Sequence, residues 1–442
     1  MLPLDFLREE SNSVKRALDD TLRHDYAPEL SAEFYGECVK RIRHIDQQIE
    51  AQVAAPQPQA IAALLSELGD ISTFITLIER SRLGEFSWPF ADELRRIARE
   101  FLAEPDLFGK TGYPIVHVVA DGRGYRILFE DAVRSANSVR KFAIVLFPRP
   151  FKDHVLLHSI FGHELGHASL STSVTGYALV SQLTGALSGG NLTSADSMTA
   201  WLYSSDAPQE MKHELNEYQR RYPEPFKFND DIRLFWIHEL FCDLFGLLLF
   251  GPSFLAAHKT IIGPSHPHPL KFDLLEPSHP PYAVRHRMLV QAMRVLQWHK
   301  TITVRTFDSE VHAAEFQFLD ELMEDPFPPW ARIVTEQEIE DSINGIRSVC
   351  SANVYHPPGS DIIISLVKRL KAALPPILDD RSAQGEPNLR KLDFRAILHA
   401  GWIFWTGLGH FSPAPQLSFR QVNQLCNQAL LQQRAIDEFL SQ

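Results

Sequence analysis

Residues 154–170 read HVLLHSIFGHELGHASL, and the five letters HELGH at 163–167 decide how the rest of the chain is read. On a helix, residues four apart lie one turn above another on the same face. His163 and His167 therefore present two imidazoles to one point from one rigid element. Two such nitrogens suit a zinc ion, and Glu164, next to the first of them, can hold a water at the open metal position and take its proton. Gly166, between the ligands, leaves room beside the metal. The same stretch contains its own control. His154 and His158 are also four apart, but no Glu follows His154. At about 100° per residue they point away from the His163/His167 face, and they read as helix-surface or partly buried histidines.

Further along, residues 237–246 read IHELFCDLFG. Glu239 and Asp243 are four apart on an otherwise apolar helical run. Two carboxylates on one stripe of a buried helix are costly unless each has a partner. A metal is one partner. The second ring N–H of a ligand histidine is another, since such histidines usually donate it to a carboxylate. The economical arrangement makes Glu239 the third ligand and Asp243 the acceptor for His163. His238 and Cys242 flank this stripe and are the alternatives to Glu239. An HExxH helix followed by a helix carrying E-x-x-x-D resembles the gluzincin metallopeptidases, and ELFCDLFG at 239–246 is similar to the third-ligand helix of the thermolysin group.

A third element, SHPPYAVR at 278–285, resembles the H-P-x-x-x-x-R element of the CAAX prenyl endopeptidase family and its bacterial relatives. That resemblance implies that His279 hydrogen-bonds the tetrahedral intermediate and that Arg285 braces the site; Tyr282 is a lesser candidate for the same oxyanion contact. The order of the three elements matches this family better than thermolysin. Those enzymes mostly span membranes, whereas here no window of 18 residues is uninterruptedly apolar; the nearest, Leu244 to Ala257, is broken by Gly251-Pro252. Histidines 266 and 268 lie in a Pro-rich loop and read as solvated.

Bulk properties narrow the setting. The 442 residues allow two or three domains, and 45% hydrophobic with 22% charged residues is ordinary for a globular protein. A net charge of −12 leaves no basic excess for phosphates, which argues against nucleic-acid binding. Four scattered cysteines with no C-x-x-C suit a reducing compartment. The acidic start MLPLDFLREESNS is not a secretory signal. A cytoplasmic protein without a membrane span is the expectation.

Residues 1–105 read as helical, with runs at 30–53, 60–80 and 89–102. Strands are expected at 113–120, 125–130 and 141–148, the first two joined by a turn at 121–124. In gluzincins an edge strand ahead of the HExxH helix binds substrate backbone; the resemblance implies that role for part of this sheet, and a plain core sheet is the other reading. An excursion at 171–230, rich in Ser, Thr and Gly, could wall the cleft, with helices near 177–187, 197–203 and 209–222. Beyond 283 the chain is helical again, with runs at 283–298, 307–324, 336–350, 361–374, 394–408 and 419–440; the aromatic 394–408 run reads as core. The expected fold is α+β and predominantly helical. A zincin-like metallopeptidase core at 106–300, holding a small sheet and the two ligand helices, is flanked by helical regions at 1–105 and 301–442. The resemblance implies an endopeptidase with one Zn2+ per chain, acting on peptide or protein substrates; a catalytically latent scaffold or sensor is the alternative. The helical flanks could carry a regulatory partner or an oligomer contact.

Overall fold

A computed structural model describes residues 3–21, 28–79, 87–102, 104–105, 111–112, 114–121, 124–129, 141–170, 193–265, 268–298, 309–324, 331, 334–350, 354–378, 392–407 and 417–440. It is predominantly helical with a small three-stranded sheet, in keeping with the expected α+β class. Contacts divide it into two compact units, Met1–Lys152 and Asp153–Gln442. The sheet thus groups with the N-terminal helices, and the C-terminal helices group with those carrying the HELGH and ExxxD residues.

In the first unit, helices α2 (Pro28–Ala51), α3 (Pro58–Glu79) and α4 (Trp88–Phe101) lie against the sheet, and α1 (Pro3–Thr21) packs on α2 and α3. Helix α1 lies within the region 1–105 expected to be helical, ahead of the runs singled out there. Leu7, Val14 and Leu18 of α1 and Leu64, Leu68, Ile71 and Ile75 of α3 recur at helical spacing and share one core with Ile115, Val119, Phe142 and Ile144. Among the described residues, α3 is the helix long and apolar enough to cross a membrane, over Pro58–Leu77 at mean hydropathy 1.5.

Strands β1 (Glu104–Pro105) and β2 (Thr111–Gly112) form a two-residue ladder. The main sheet holds β3 (Ile115–Asp121), β4 (Arg126–Phe129) and β5 (Phe142–Pro148) in the order β3-β5-β4. β5 runs parallel to β3, from Ile115↔Phe142 to Asp121↔Pro148, and antiparallel to β4, from Arg126↔Leu146 to Phe129↔Ala143. Two expectations are corrected. The consecutive strands β3 and β4 are not neighbours, because β5 lies between them. The strand ahead of the HELGH helix is not an edge, because both its sides are paired. Its unbroken apolar run, buried at six of seven positions, is the signature of a central strand covered on both faces.

In the second unit, α5 (Phe161–Leu170) carries HELGH. It does not extend back to His154. Residues 157–160 form a 3-10 turn that buries His158, and His154 precedes it, stacked on Phe419 at 5.5 Å. Within the excursion, residues 171–192 and the expected helix at 177–187 lie outside the described residues, and α6 (Thr193–Leu202) and α7 (Gln209–Arg221) answer to the two later helices. Helix α8 (Asp230–Phe250) carries Glu239 and Asp243. Asn229 caps it by accepting the Ile232 N–H at 2.9 Å, with Asp230 and Asp231 in the first turn against the positive end of the dipole. It stops at Gly251, whose φ of 64° favours glycine and where a Cβ would lie 2.2 Å from the Tyr355 ring. Pro252 then starts α9 (Pro252–Ile261).

The remaining helices are α10 (Tyr282–Val295), α11 (Ser309–Met323), α12 (Glu336–Cys350), α13 (Ser360–Lys371), α14 (Phe394–Thr406) and α15 (Phe419–Leu440). On α14, Trp402 and Phe404 are buried, so that aromatic run is core. His266 and the loops at 326–330, 382–388 and 413–415 lie outside the described residues.

Candidate metal centre

The centre is built on the contact between α5 and α8, and that contact is set by glycines. A methyl added at Gly162 would meet Gly246 Cα at 2.5 Å, and one at Gly166 would meet Cys242 Cα at 2.8 Å. Gly162 and Gly166 are four apart and share one face of α5, so the backbone of α8 settles against that face. Gly166 therefore serves the helix contact, not space beside a metal as the sequence suggested. The GxxxG spacing was present in the sequence and is the signal that reading did not use.

This approach brings the α8 carboxylates to the α5 histidines. His163 Nε2 and His167 Nε2 are 3.0 Å apart; His163 Nε2 lies 3.4 Å from Glu239 Oε2, and His167 Nε2 lies 3.2 Å from Glu239 Oε1. Three ligand atoms, one from each residue, fall within 4.8 Å of one another, and His163 and Glu239 are buried. Bond lengths of 2.0–2.1 Å to a tetrahedral ion imply ligand separations of about 3.3 Å. The spacing of the two imidazole nitrogens, and the distance from each to one or the other Glu239 oxygen, are within a few tenths of that. Glu239 Oε2 is also buried without a hydrogen-bond partner, as expected of an atom reserved for an ion. This group could bind a metal ion. His238 and Cys242 are not part of it; Cys242 packs on Gly166.

Behind the donors, His163 Nδ1 lies 2.9 Å from Asp243 Oδ1. Arg285, on α10, grips the same carboxylate with two bonds, Nε to Oδ2 at 2.7 Å and Nη2 to Oδ1 at 2.6 Å. With Asp243 ionised, His163 Nδ1 carries the proton and donates it, which leaves the Nε2 lone pair facing Glu239 and His167. Burial disfavours the charged forms of all these groups. For Asp243 the adjacent Arg285 guanidinium wins and holds the carboxyl well below its usual range. For Glu239 the adjacent His163 and His167 do the same. For His163 the bonds to Asp243 and Glu239 outweigh burial and lift the imidazole to about 9. A cation at Nε2 would take the place of that proton.

Glu164 is partly buried, and burial pushes its carboxyl above the usual range, against the pull of His163 and His167. His279 sits on the 277–281 loop, which is tied to α8 one turn before Glu239 by the Trp236 indole donating to the Pro277 carbonyl at 2.9 Å. Its Nε2 comes to 3.6 Å from Glu239 Oε1, and its side chain is 65% exposed, so the ring borders the donors and is open to solvent. Ser278 Oγ lies 2.8 Å from its Nδ1. A hydroxyl donating there fixes the proton on Nε2, on the donor side. Tyr282 is placed differently: its hydroxyl lies 3.3 Å from His286 Nδ1, and its ring stacks between His258 and His286. Fully buried His258 was not singled out from the sequence; its Nε2 lies 3.9 Å from Asp243 Oδ2. His268 Nδ1 accepts the Leu270 N–H at 3.2 Å, a bond internal to its loop.

Compared with models of known families, with curated proteins and with solved structures, the chain gives no match.

Proposed function

We propose that this chain is a zinc-dependent endopeptidase of the gluzincin type, most like the CAAX prenyl endopeptidase family, and that its second unit contains a zincin-like core. The observation that carries the reading is the convergence of His163, His167 and Glu239 on one point, with Glu164 beside the first ligand. Those three residues would hold the zinc, which when bound supplies Lewis acidity toward the peptide carbonyl and acidifies the attacking water. Glu164 takes the proton from that water and passes it to the leaving amine. The raised proton affinity that burial gives its carboxyl suits both halves of that transfer. The Nε2–H of His279 donates to the developing oxyanion. Asp243 and Arg285 hold His163 in the tautomer that keeps Nε2 free.

The test is elemental analysis with a mixed-peptide digest, on wild type and Glu164→Gln. The expected result is one zinc per chain in both and cleavage by wild type alone. Zinc in both with no cleavage by either would favour a latent metal-site scaffold. Absence of zinc from both would remove the reading.

A further inference from the structure

Helix α8 is buried at every position from Glu239 to Phe250, but not at its start. Asp231, Leu234 and Phe235 are exposed and His238 is half-buried, whereas Ile232, Trp236 and Ile237 turn inward. Positions 231, 234, 235 and 238 make one helical face. Such a face is ordinarily polar, yet its centre is Leu234, 40% exposed, and Phe235, 55% exposed. The helix is well held at this level. Trp236, next to the pair, donates to the Pro277 carbonyl at 2.9 Å and meets the Phe228 and Phe272 rings edge-on at 4.7 and 5.3 Å.

This apolar face leads into the donor group. Helices α5 and α8 run antiparallel, Gly162 against Gly246 and Gly166 against Cys242. At that register α5 ends at Leu170, level with His238, so Leu234 and Phe235 lie just beyond its end. Phe235 is four residues ahead of Glu239, which puts their Cβ atoms about 5–6 Å apart on one side of the helix. His238, at the end of the face, stands near His167: burial first and that imidazole second push its own proton affinity down. The donor group opens toward His167 and His279. The His167 side chain is 40% exposed and that of His279 more so, while His163 and Glu239 are buried. A peptide reaching the centre therefore passes these two rings, with the α8 face beside it.

Resting on the peptidase reading, we propose that Leu234 and Phe235 form a ledge that receives a large apolar side chain of the substrate, one or two residues from the scissile bond. An extended peptide advances about 3.3 Å per residue. A side chain one or two residues from the carbonyl at the metal thus falls about one helical turn from Glu239, which is where Phe235 stands. Exposed apolar side chains gain by being covered, and only an apolar occupant gains with them. The substrate class is peptides with Leu, Phe or Met at that position, in preference to Gly or a charged residue. Covering a half-exposed ring and half of the incoming side chain corresponds to a preference of about 10-fold.

The experiment is titration calorimetry of short peptide hydroxamates on the zinc-loaded full chain, so that binding is read without turnover. The probes are an all-glycine peptide and the same peptide with one leucine at the first or the second residue from the hydroxamate. In wild type one leucine probe should bind about 10-fold tighter than the glycine probe. Phe235→Ser should abolish that difference and leave affinity for the glycine probe unchanged. Phe439→Ser, which removes an exposed phenylalanine on α15, should keep the difference. Equal affinities in wild type, or a difference that survives Phe235→Ser, overturns the ledge while the metal centre stands. A chain that takes up no zinc and binds no hydroxamate overturns the ledge and the peptidase reading together. Sedimentation of the same proteins decides against a different occupant: a wild type that self-associates where Phe235→Ser does not would make the face a contact between copies and overturn the proposal.

Discussion

The most discriminating perturbation of the centre is Gly166→Ala, because it leaves every candidate ligand in place. The added methyl would sit 2.8 Å from Cys242 Cα, a backbone atom on a helix buried along most of its length. Carbon atoms in contact prefer about 3.5–4.0 Å, so α5 and α8 must separate by roughly 0.7–1.2 Å at that level. Glu239 lies one turn before Cys242 and would move away from His163 and His167, from which it is now 3.4 and 3.2 Å. Metal sites tolerate errors of about 0.2 Å in ligand position. The displacement is several times that, and zinc affinity should fall at least about 10-fold, comparable to losing a group that orients a ligand. Overpacking should also lower stability by about 1–3 kcal/mol. The control is Gly36→Ala on α2, where a methyl meets nothing within 4 Å. It should leave zinc binding unchanged and add up to about 1 kcal/mol through helix propensity. The assay is zinc competition against a chromophoric chelator, with thermal unfolding of the metal-free proteins alongside. A Gly166→Ala protein with wild-type zinc affinity would refute the claim that the glycine contact sets the donor spacing.

Three further outcomes are expected. Asp243→Ala should weaken zinc by about 10–100-fold, because His163 loses the acceptor that fixes its tautomer and Arg285 is left buried without its carboxylate; chelator competition measures it, and unchanged affinity removes Asp243 from that role. His279→Ala should keep full zinc content while kcat falls about 10²–10³-fold; a loss of metal instead would make His279 a ligand. Trp236→Phe removes the bond to the Pro277 carbonyl and should lower kcat in the same direction but less, with metal unchanged; wild-type turnover would show that the 277–281 loop needs no such anchor.

Much of the local structure was legible. Helical periodicity marked α2, α3, α7, α12 and α15 to within a few residues, and the strand segments were located nearly as well. Helix α1 falls in the region read as helical, but its bounds do not stand out, because its many charged residues dilute the apolar periodicity. The stretch ahead of HELGH was taken as one helix, because four-residue spacing alone does not separate an α-helix from a 3-10 turn followed by one. Strand order was misjudged for a different reason. The turn after β3 suggested pairing with β4, but the more apolar β5 takes the central place, since an all-apolar strand gains most where both faces are covered.

At the site, the sequence by itself determined which residues can act. Two imidazoles and a carboxylate at HELGH, and two carboxylates four apart on an apolar helix, are chemical facts of the chain and need no coordinates. Only the tertiary structure decided that they meet. Glu239 is more than seventy positions beyond His167, and nothing local brings it within 3.2 Å. The cause is a backbone-to-backbone approach that Gly162 and Gly166 permit and that any larger side chain at either would hold open. The same holds for Arg285 on Asp243: each residue was visible in the chain, but its partner was set by packing, because burial and distance are properties of the assembled core and not of any window of sequence.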